Sequence, residues 1–457
     1  MSDDWRPRLD PAAGPLYLAI AEAIASDLTA GRLAPGARLP PQRVLAQGLG
    51  VDFTTVSRAY AEAARRGLVE GRVGQGTYVR VPGAAASAGG PVDLSMNLPP
   101  HFEDRELTGR MWREIAELQA TGLDLLLRYQ EAGGAAADRQ AGALWLQDRL
   151  PGLDPERITV CPGAQSALLA VIGALAAPGE TICAEALTYP GLKALAAQLR
   201  LNVIGLAMDG EGIVPDAFEA ACRDHPVKAL VCTPTLQNPT TATMSLARRR
   251  ALVDIARAHA VPIVEDDAYG LLPETSPPPI AALAPDLTFH IAGLAKPVSP
   301  ALRIAYLAAP DSRSGAKVRA AIRATTAMAS PLTAAIATRW ITGGTAQAVR
   351  DAIRQEARAR QVLAARLLPA GSFAAHPDGF HLWLNLPPGW TRGEFALQLR
   401  ATGIGVVVSD AFAIGPNPPE AVRIGLGGPA PRRQIDKALA AVADILDGAP
   451  VMTSAAV

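Results

Sequence analysis

The chain has 457 residues, about three times the length of a typical single domain, so the sequence predicts two or more domains. Its 49% hydrophobic residues and mean hydropathy of +0.16 exclude an intrinsically disordered protein. Lysine plus arginine and aspartate plus glutamate both total 43. The whole chain therefore has no basic field that indicates a nucleic-acid or membrane partner, although a small DNA-binding domain is compatible with that balance.

Cysteines, histidines and apolar runs exclude further classes of protein. The four cysteines form no Cys-x-x-Cys pair, and in so long a chain they do not make a disulfide scaffold. The six histidines are scattered, so we expect no bound metal. Residues 1–10 are charged and contain proline, unlike a signal peptide, and no apolar run reaches the roughly 18 residues of a membrane span. We expect a soluble cytoplasmic protein with no membrane partner.

A change of composition divides the chain. Residues 81–92, VPGAAASAGGPV, are small and rich in glycine and proline, which is typical of a linker. The predicted domains are therefore residues 1–80 and residues 93–457.

The first domain has the pattern of a winged helix-turn-helix. Apolar residues recur at helical spacing over 16–28, and two short helices are predicted over 42–47 and 54–66. Asp52 is a candidate N-cap for the second of these, because its carboxylate can accept the free N–H groups of the first helical turn. Residues 68–79 then predict two short strands joined by a glycine turn.

In a helix-turn-helix, the second helix enters the major groove, and its N-terminal side chains contact base edges while neighbouring side chains hold phosphates. Hydroxyl and guanidinium groups near the turn can make such contacts, and a glycine at the wing tip can approach the minor groove. The candidate DNA-binding residues are Arg43, Thr54, Thr55, Ser57, Arg58 and Gly74.

Residues 15–79 closely resemble the GntR-type winged helix-turn-helix, including LAPGARLPPQR, the spaced pattern LA..LGV..TTV..AY and the wing G-x-G-T-Y-V. The resemblance implies binding to double-stranded operator DNA. Asp52 and Phe53 stand where many members of the family have Ser/Thr-Arg before the Thr-Thr pair. The base contact made by that arginine is therefore missing, and we expect a different operator.

The second domain alternates apolar strand-like runs with helical patterns, which predicts an α/β fold with a mostly parallel sheet between helices. The predicted strands are ITVCP (158–162), TICAE (181–185), NVIGLAM (202–208), ALVCTP (229–234), PIVEDD (262–267), TFHIAGL (288–294) and RIAYLAA (303–309). Ligand sites of open α/β sheets gather at the carboxyl ends of the strands.

The chain has only five lysines, so 38 of its basic residues are arginine, a ratio that a GC-rich genome explains. Lys193 and Lys437 lie in helical patterns, and Lys228 and Lys317 are predicted surface charges. Lys296 instead follows the apolar run TFHIAGLA at the predicted end of a strand. A buried charged amine is costly unless it is paired, neutral or covalently used. Schiff-base formation would use it, and a lysine in an interface or a salt bridge is the alternative.

Polar residues at the neighbouring strand ends suit pyridoxal phosphate (PLP). Its pyridine nitrogen needs an ionised carboxylate to act as an electron sink, and Asp266 in PIVEDDAYG supplies one. Tyr269 of the same motif and Asn238 in TLQNPT can donate hydrogen bonds to the phenolic oxygen of the ring.

A phosphate group has a predicted site nearby. The residues Gly163, Ala164 and Gln165 lie between a strand and a helix, where backbone N–H groups at the helix N-terminus can bind an anion. Arg303 would add a charge-assisted hydrogen bond, and Tyr189 in LTYPG is placed to stack on the cofactor ring.

Together these motifs resemble fold-type I aminotransferases across nearly all of residues 93–445. A GntR-type head joined through DLSMNLPP to such a domain resembles the MocR family of transcriptional regulators. We expect a large domain with a mostly parallel sheet over about residues 120–308, and a small α+β domain formed by 93–119 and 309–457.

The MocR resemblance also implies roles for single residues. It places PLP on Lys296, with Asp266, Tyr269, Asn238 and Arg303 as supporting residues. Arg423 in AVRIGLGG matches the residue that binds the α-carboxylate of an amino acid. A head-to-tail homodimer is implied as well, in which Tyr129 of one chain reaches the phosphate bound by the other.

The sequence departs from the family pattern near the lysine. Gly293 and Ala295 replace the two serines of the usual Ser-x-Ser-Lys, and Thr241 replaces the glycine common after Asn-Pro-Thr. The missing hydroxyls weaken the predicted phosphate site and are expected to lower the affinity for PLP.

The sequence therefore predicts a PLP-dependent transcriptional regulator that senses an amino acid or amine through exchange of the Schiff base at Lys296. An active aminotransferase with a DNA-binding extension is the main alternative. A GntR-type regulator whose second domain no longer binds PLP is another.

Overall fold

A computed structural model divides the chain into two compact units, Met1–Gly90 and Pro91–Val457. The residues that the structure describes are 5–7, 15–34, 36–72, 76–79 and 92–448. Apart from Val92, the predicted linker lies outside this part of the chain, so the predicted domain boundaries stay predictions.

The first unit consists of three helices followed by a β-ribbon. Its elements are α1 (Leu16–Thr29), α2 (Gln42–Leu49), α3 (Phe53–Arg65), β1 (Val69–Arg72) and β2 (Gly76–Val79). The two strands are antiparallel, with Val69 opposite Val79. The winged helix-turn-helix fold predicted from the sequence is confirmed.

Local chemistry explains the turn of this unit. Asp52 caps α3 as predicted, because its carboxylate accepts a hydrogen bond of 2.8 Å from the backbone N–H of Thr54. The preceding helix ends at Gly50 with φ of +65°, a conformation that glycine adopts without strain. Ile24 of α1 and Val56 of α3 are both fully buried in the apolar core between the helices.

The second unit is built on a seven-stranded sheet, and its described strands are numbered in chain order. They are β3 (Val92–Asp93), β4 (Ile158–Cys161), β5 (Thr181–Glu185), β6 (Asn202–Leu206), β7 (Met208–Asp209), β8 (Gly212–Ile213), β9 (Val227–Cys232), β10 (Ile263–Asp266), β11 (Thr288–Gly293), β12 (Ala305–Ala308), β13 (Phe373–Ala375), β14 (His381–Asn385), β15 (Ile404–Gly405), β16 (Val407–Val408) and β17 (Ala421–Gly425). The order in the large sheet is β4-β12-β11-β10-β9-β5-β6. Only β12 of this sheet runs antiparallel to its neighbours, so the predicted mostly parallel sheet is confirmed.

Helices cover the sheet on both faces, which is why its strands read as continuous apolar runs. In β9, Ala229 and Val231 face a core shared with α7, whereas Leu230 and Cys232 face one shared with α10. The described helices are α4 (Arg105–Glu117), α5 (Leu123–Leu126), α6 (Ala136–Leu146), α7 (Ala164–Leu175), α8 (Pro190–Gln198), α9 (Pro215–Asp224), α10 (Leu246–Ala258), α11 (Ile280–Leu283), α12 (Ser312–Thr325), α13 (Pro331–Thr342), α14 (Thr345–Leu367), α15 (Arg392–Ala401) and α16 (Arg432–Asp447).

A smaller antiparallel sheet, of order β13-β14-β17-β16, forms a second layer with α15 and α16. Leu384, Val422, Phe395 and Leu439 meet fully buried in the core between them. The short strand β3, the first described segment after the predicted linker, pairs in parallel with β15 beside this sheet. The first described segment of the second unit therefore lies beside the small sheet, in a two-stranded sheet of its own.

Two helices beyond the predicted end of the large domain pack on the large sheet. Val318 of α12 is buried in the core that contains α7, and Trp340 of α13 is buried in the core that contains α6. This packing favours a boundary between the large and small domains later in the chain than residue 309.

The described ranges contain no candidate membrane span and no candidate metal site. Among the helices in those ranges, none is long and apolar enough to cross a membrane. No group of three or more histidine, cysteine, aspartate or glutamate side chains there is arranged to hold a metal ion.

Candidate functional site

A cavity of about 510 Å³ opens at the carboxyl ends of the central strands of the large sheet. Parallel strands bring their following residues to the same edge, so segments far apart in sequence meet there. The predicted site residues that line the cavity are Ala164, Gln165, Tyr189, Asn238, Asp266, Tyr269, Lys296, Arg303 and Arg423. The structure thus brings together nearly all of the predicted cofactor and ligand residues.

Lys296 lies three residues after the end of β11, with its amine inside the cavity. Burial, together with the positive charge of Arg423, lowers the pKa of the amine to about 8. The amine forms no salt bridge with the described residues, donates a hydrogen bond to the backbone carbonyl of Asn97, and lies 5.8 Å from the ring centroid of Tyr269. It therefore has the character of a nucleophilic lysine rather than that of a structural ion pair.

The other lysines behave differently. Lys228 forms a salt bridge of 3.1 Å with Glu180 at the surface. The amine of Lys193, in α8, donates hydrogen bonds of 3.0 and 3.1 Å to the backbone carbonyls of Asp410 and Ala411. These hydrogen bonds connect α8 to residues 410–411 of the small domain.

Asp266 is the last residue of β10 and is buried at the edge of the sheet. Burial and the neighbouring carboxylate of Asp267 raise the pKa of Asp266 to about 7. Its Oδ1 atom is buried and has no hydrogen-bond partner in the described part of the chain. A buried carboxylate oxygen of this kind is costly unless a donor reaches it, so the position suits a ligand that carries an N–H group.

The N-terminus of α7 forms the opposite end of the cavity. Gly163 precedes this helix with φ of +85°, and no side chain of the described residues caps the helix. A Cβ atom on Gly163 would lie 2.8 Å from Nη2 of Arg303, so glycine permits the close approach of that guanidinium. Arg303 is exposed and has no ion pair with the described residues. The N–H groups at this helix N-terminus and the guanidinium of Arg303 are suited to bind an anion.

Three more side chains complete the lining. Tyr189 is 39% exposed at the start of α8, so its ring is accessible from the cavity. Arg423 of β17 donates a hydrogen bond of 3.0 Å to Oδ1 of Asn238. This bond orients the amide of Asn238, whose Nδ2 group has no acceptor among the described residues. The guanidinium also lies 5.0 Å from the ring centroid of Phe412.

A segment that the sequence reasoning treated only as a connection also lines the cavity. Ser95 and Asn97 follow β3, and their backbone carbonyls accept hydrogen bonds from Arg423 and Lys296 respectively. The polar residues Ser95 and Asn97, between the apolar residues Leu94 and Leu98 in DLSMNLPP, could have indicated a role for this segment in the site. His381, which contacts Asn97, was missed as well because it sits in an ordinary strand pattern.

Tyr129 is not brought to this cavity. Tyr129 follows α5 by three residues and is 89% exposed. It does not line the cavity of its own chain. Its predicted role across a dimer stays a prediction.

In the first unit, the predicted DNA-binding residues cluster at the turn and along the start of α3. Thr54 is exposed, and its hydroxyl donates to the carboxylate of Asp52. Thr55 and Ser57 lie partly exposed in the next positions of the helix. Gly74, the predicted wing tip, lies outside the described residues.

Two arginines of this unit stack on aromatic rings. The guanidinium carbon of Arg43 lies 5.8 Å from the ring centroid of Phe53, and that of Arg58 lies 4.3 Å from the ring centroid of Tyr17. Both arginines are exposed and retain hydrogen-bond donors for phosphates or guanine.

Comparison with known proteins agrees with this architecture. Residues 90–442 match the family "Aminotransferase class I and II", and residues 16–79 match "Bacterial regulatory proteins, gntR family". The fold and the cavity therefore define an aminotransferase-like protein with an N-terminal winged helix-turn-helix. The chain belongs to the aminotransferase class I and II family and, with its GntR-type head, is a MocR-type helix-turn-helix transcriptional regulator.

Relatives share both parts of the chain. It is 28% identical over 451 residues to the uncharacterized HTH-type transcriptional regulator YdeF of Bacillus subtilis, covering 97% of each chain. It is 28% identical over 416 residues to the vitamin B6 salvage pathway transcriptional repressor PtsJ of Salmonella typhimurium, covering 89% of this chain and 93% of that one. Among solved structures, a kynurenine aminotransferase of Pyrococcus horikoshii gives a TM-score of 0.71 at 22% identity, covering 78% of this chain and 90% of that one. That likeness concerns the fold alone.

Proposed function

We propose that this regulator carries PLP on Lys296 and changes its DNA binding when an amino acid or amine enters the cavity. The observation that carries the proposal is one cavity that holds both the amine of Lys296, with its lowered pKa, and the carboxylate of Asp266. Among the described residues, the amine has no ion pair and Oδ1 of Asp266 has no hydrogen-bond partner. The same chain carries a head that binds DNA. A regulator of transcription works where the DNA is, so we place it in the cytoplasm.

The residues present fit PLP. The ring nitrogen would satisfy Oδ1 of Asp266, and the phosphate would lie at the N-terminus of α7 beside Arg303. Tyr189 would cover the ring, and the phenolic oxygen would lie near Tyr269 and Nδ2 of Asn238. When bound, PLP supplies an aldehyde for amines and an electron sink.

The protein residues have separate tasks in this proposal. The amine of Lys296 is partly neutral at physiological pH because burial and Arg423 lower its pKa, so it can act as a nucleophile. A cationic ring nitrogen would favour the ionised form of Asp266, whose pKa is raised without such a partner. Arg423 is held by Asn238 and would bind the α-carboxylate of an amino acid in a charge-assisted pair.

The segment of residues 94–98 bonds to cavity residues and follows the predicted linker in sequence, so we propose that it transmits ligand binding to the head. Lys296 donates to the carbonyl of Asn97, and Arg423 donates to the carbonyl of Ser95. A cofactor that uses the lysine and a carboxylate that engages the arginine would both compete with these hydrogen bonds. The segment follows the predicted linker directly in sequence, so loss of both bonds would change how the chain after the linker is held.

An active aminotransferase is the second candidate function. It is favoured by the convergence of Lys296, Asp266 and Arg423 in one cavity, since those residue types suffice for transfer of an amino group. A PLP-bound homodimer, in which Tyr129 of one chain reaches the phosphate bound by the other, is proposed in either case. The high exposure of Tyr129 in the single chain is compatible with such a contact.

The test is an absorbance titration of the PLP-loaded full chain with a panel of amino acids and amines, followed by an assay of 2-oxo acid turnover. We expect a visible band that one class of ligand shifts, with no sustained turnover, and loss of the band in Lys296→Ala. Lys437→Ala, a lysine of α16, is the matched control.

Each contrary result has a distinct meaning. Sustained turnover at enzyme-like rates would favour the aminotransferase. A purified chain without the band, unchanged by Lys296→Ala, would indicate a regulator that no longer binds PLP.

A further inference from the structure

We infer that Asn97 and His381 are positioning residues that orient the hydroxyl of Tyr269, so that its proton is free for donation to the phenolic oxygen of PLP. The inference rests on the proposed function only in naming PLP as the acceptor. The hydrogen-bond chain that carries it is a property of the protein itself and runs from Gln237 through His381 and Asn97 to Tyr269.

The chain of hydrogen bonds starts at the backbone carbonyl of Gln237, which can only accept a hydrogen bond. His381 is fully buried in β14, and its Nε2 lies 3.3 Å from the backbone carbonyl of Gln237. Burial and the nearby charge of Arg423 lower the pKa of His381 to about 3, so the ring is neutral and carries one proton. Because a carbonyl can only accept, that proton belongs on Nε2 and Nδ1 is an acceptor.

The tautomer of His381 then fixes the amide of Asn97. Nδ2 of Asn97 lies 3.2 Å from Nδ1 of His381 and 2.9 Å from Oη of Tyr269. Since Nδ1 needs a donor, the NH₂ group of the amide faces it, and the second hydrogen of the same group points to Tyr269. Oδ1 of Asn97 is buried and has no partner in the described ranges. The amide orientation is therefore set by the histidine.

Tyr269 is left with one unused proton. Its Oη accepts from Asn97, and its own O–H has no acceptor among the described residues. Burial raises the pKa of Tyr269, so the phenol stays protonated. Tyr269 lines the cavity with Lys296, whose amine is held by the backbone carbonyl of the same Asn97. Asn97 thus orders two cavity residues at once.

The first test uses the PLP-loaded full chain and the pH midpoint of its visible absorbance. A donor on the phenolic oxygen stabilises the form with more negative charge there, which is the deprotonated form. We expect Asn97→Leu to raise the midpoint by about one pH unit, in the same direction as Tyr269→Phe, and His381→Leu to raise it less. The double variant Asn97→Leu/Tyr269→Phe should equal Tyr269→Phe alone. Asn202→Leu, which removes an exposed amide bonded to Gly179, is the control.

A wild-type midpoint in Asn97→Leu, or a shift that adds to that of Tyr269→Phe, would overturn the inference. The second test needs no cofactor and no variant. In ¹⁵N NMR of the unloaded full chain, His381 is expected as the Nε2-protonated tautomer, and an Nδ1-protonated ring would overturn the inference. Absence of the visible band in wild type would count against the proposed function only. The tautomer of His381 would still test the inference about Asn97 and Tyr269.

Discussion

The amine of Lys296 is useful only in its neutral form, and its surroundings set how much of that form exists. With a pKa of about 8, about one amine in ten is neutral at pH 7, against about one in several thousand for an ordinary lysine. Arg423 lowers this pKa and Asp266 raises it, so the two neighbours act in opposite directions. The residue that would hold the α-carboxylate therefore also activates the nucleophile.

This balance predicts a pH profile for PLP loading. The rate at which the unloaded chain takes up PLP, followed by absorbance, should rise about tenfold per pH unit below pH 7 and level off above about pH 8. Arg423→Gln should move the midpoint to higher pH, because a positive neighbour is lost, and Asp266→Asn should move it to lower pH. Lys437→Ala, which changes an exposed lysine of α16, is the control. A wild-type rate that still climbs steeply beyond pH 9 would contradict this view of Lys296.

Among the elements, the end of β11 and the start of α7 form the proposed phosphate site of the cavity. Gly293 is the last residue of β11, and a Cβ atom there would lie 3.5 Å from the Cβ of Ala164 and 4.0 Å from the backbone nitrogen of Ala295, both ordinary contacts. There is room for a larger side chain next to the uncapped helix. The departure from Ser-x-Ser-Lys is thus a loss of donors and is not forced by crowding.

Restoring the hydroxyls should strengthen cofactor binding. We predict that Gly293→Ser combined with Ala295→Ser lowers the Kd for PLP by about tenfold, since hydrogen bonds to a charged phosphate are stronger than those to neutral groups. Equilibrium titration of the unloaded chain measures it. Gly210→Ser, in a turn where an added Cβ would meet nothing within 4 Å, is the matched control. An unchanged Kd would mean that the phosphate does not bind at this end.

The same elements explain what the sequence could and could not predict. The seven predicted strands are found because apolar runs bounded by turns identify buried strands, and polar residues at their ends, such as Asp266, then share one edge. The network around Asn97 could not be predicted from any pattern. Asn97 is 172 residues from Tyr269 and 284 from His381, and these contacts arise only when β3 pairs beside the small sheet.

The net charge of zero describes the whole chain, but the chain consists of two structurally different units. The first unit is a winged helix-turn-helix of the GntR type, and the second unit contains a cavity of about 510 Å³ that we propose binds a small ligand. Three described hydrogen bonds link cavity residues to segment 94–98: those that Lys296 and Arg423 donate to its backbone carbonyls, and the one that Asn97 donates to Tyr269. Coupling between the sites requires that a ligand bind differently in two states, and those bonds are where such a difference would be expressed.

DNA affinity decides whether this coupling exists. The PLP-loaded full chain is used to select its own DNA fragment from a random-sequence pool, and the Kd for that fragment is measured with and without the amino acid or amine that shifts the cofactor absorbance. We predict a change in Kd of about fivefold or more, which Lys296→Ala abolishes while DNA binding itself persists. An unchanged Kd, at a ligand concentration where the absorbance shows the cavity to be occupied, would contradict a ligand-sensing regulator.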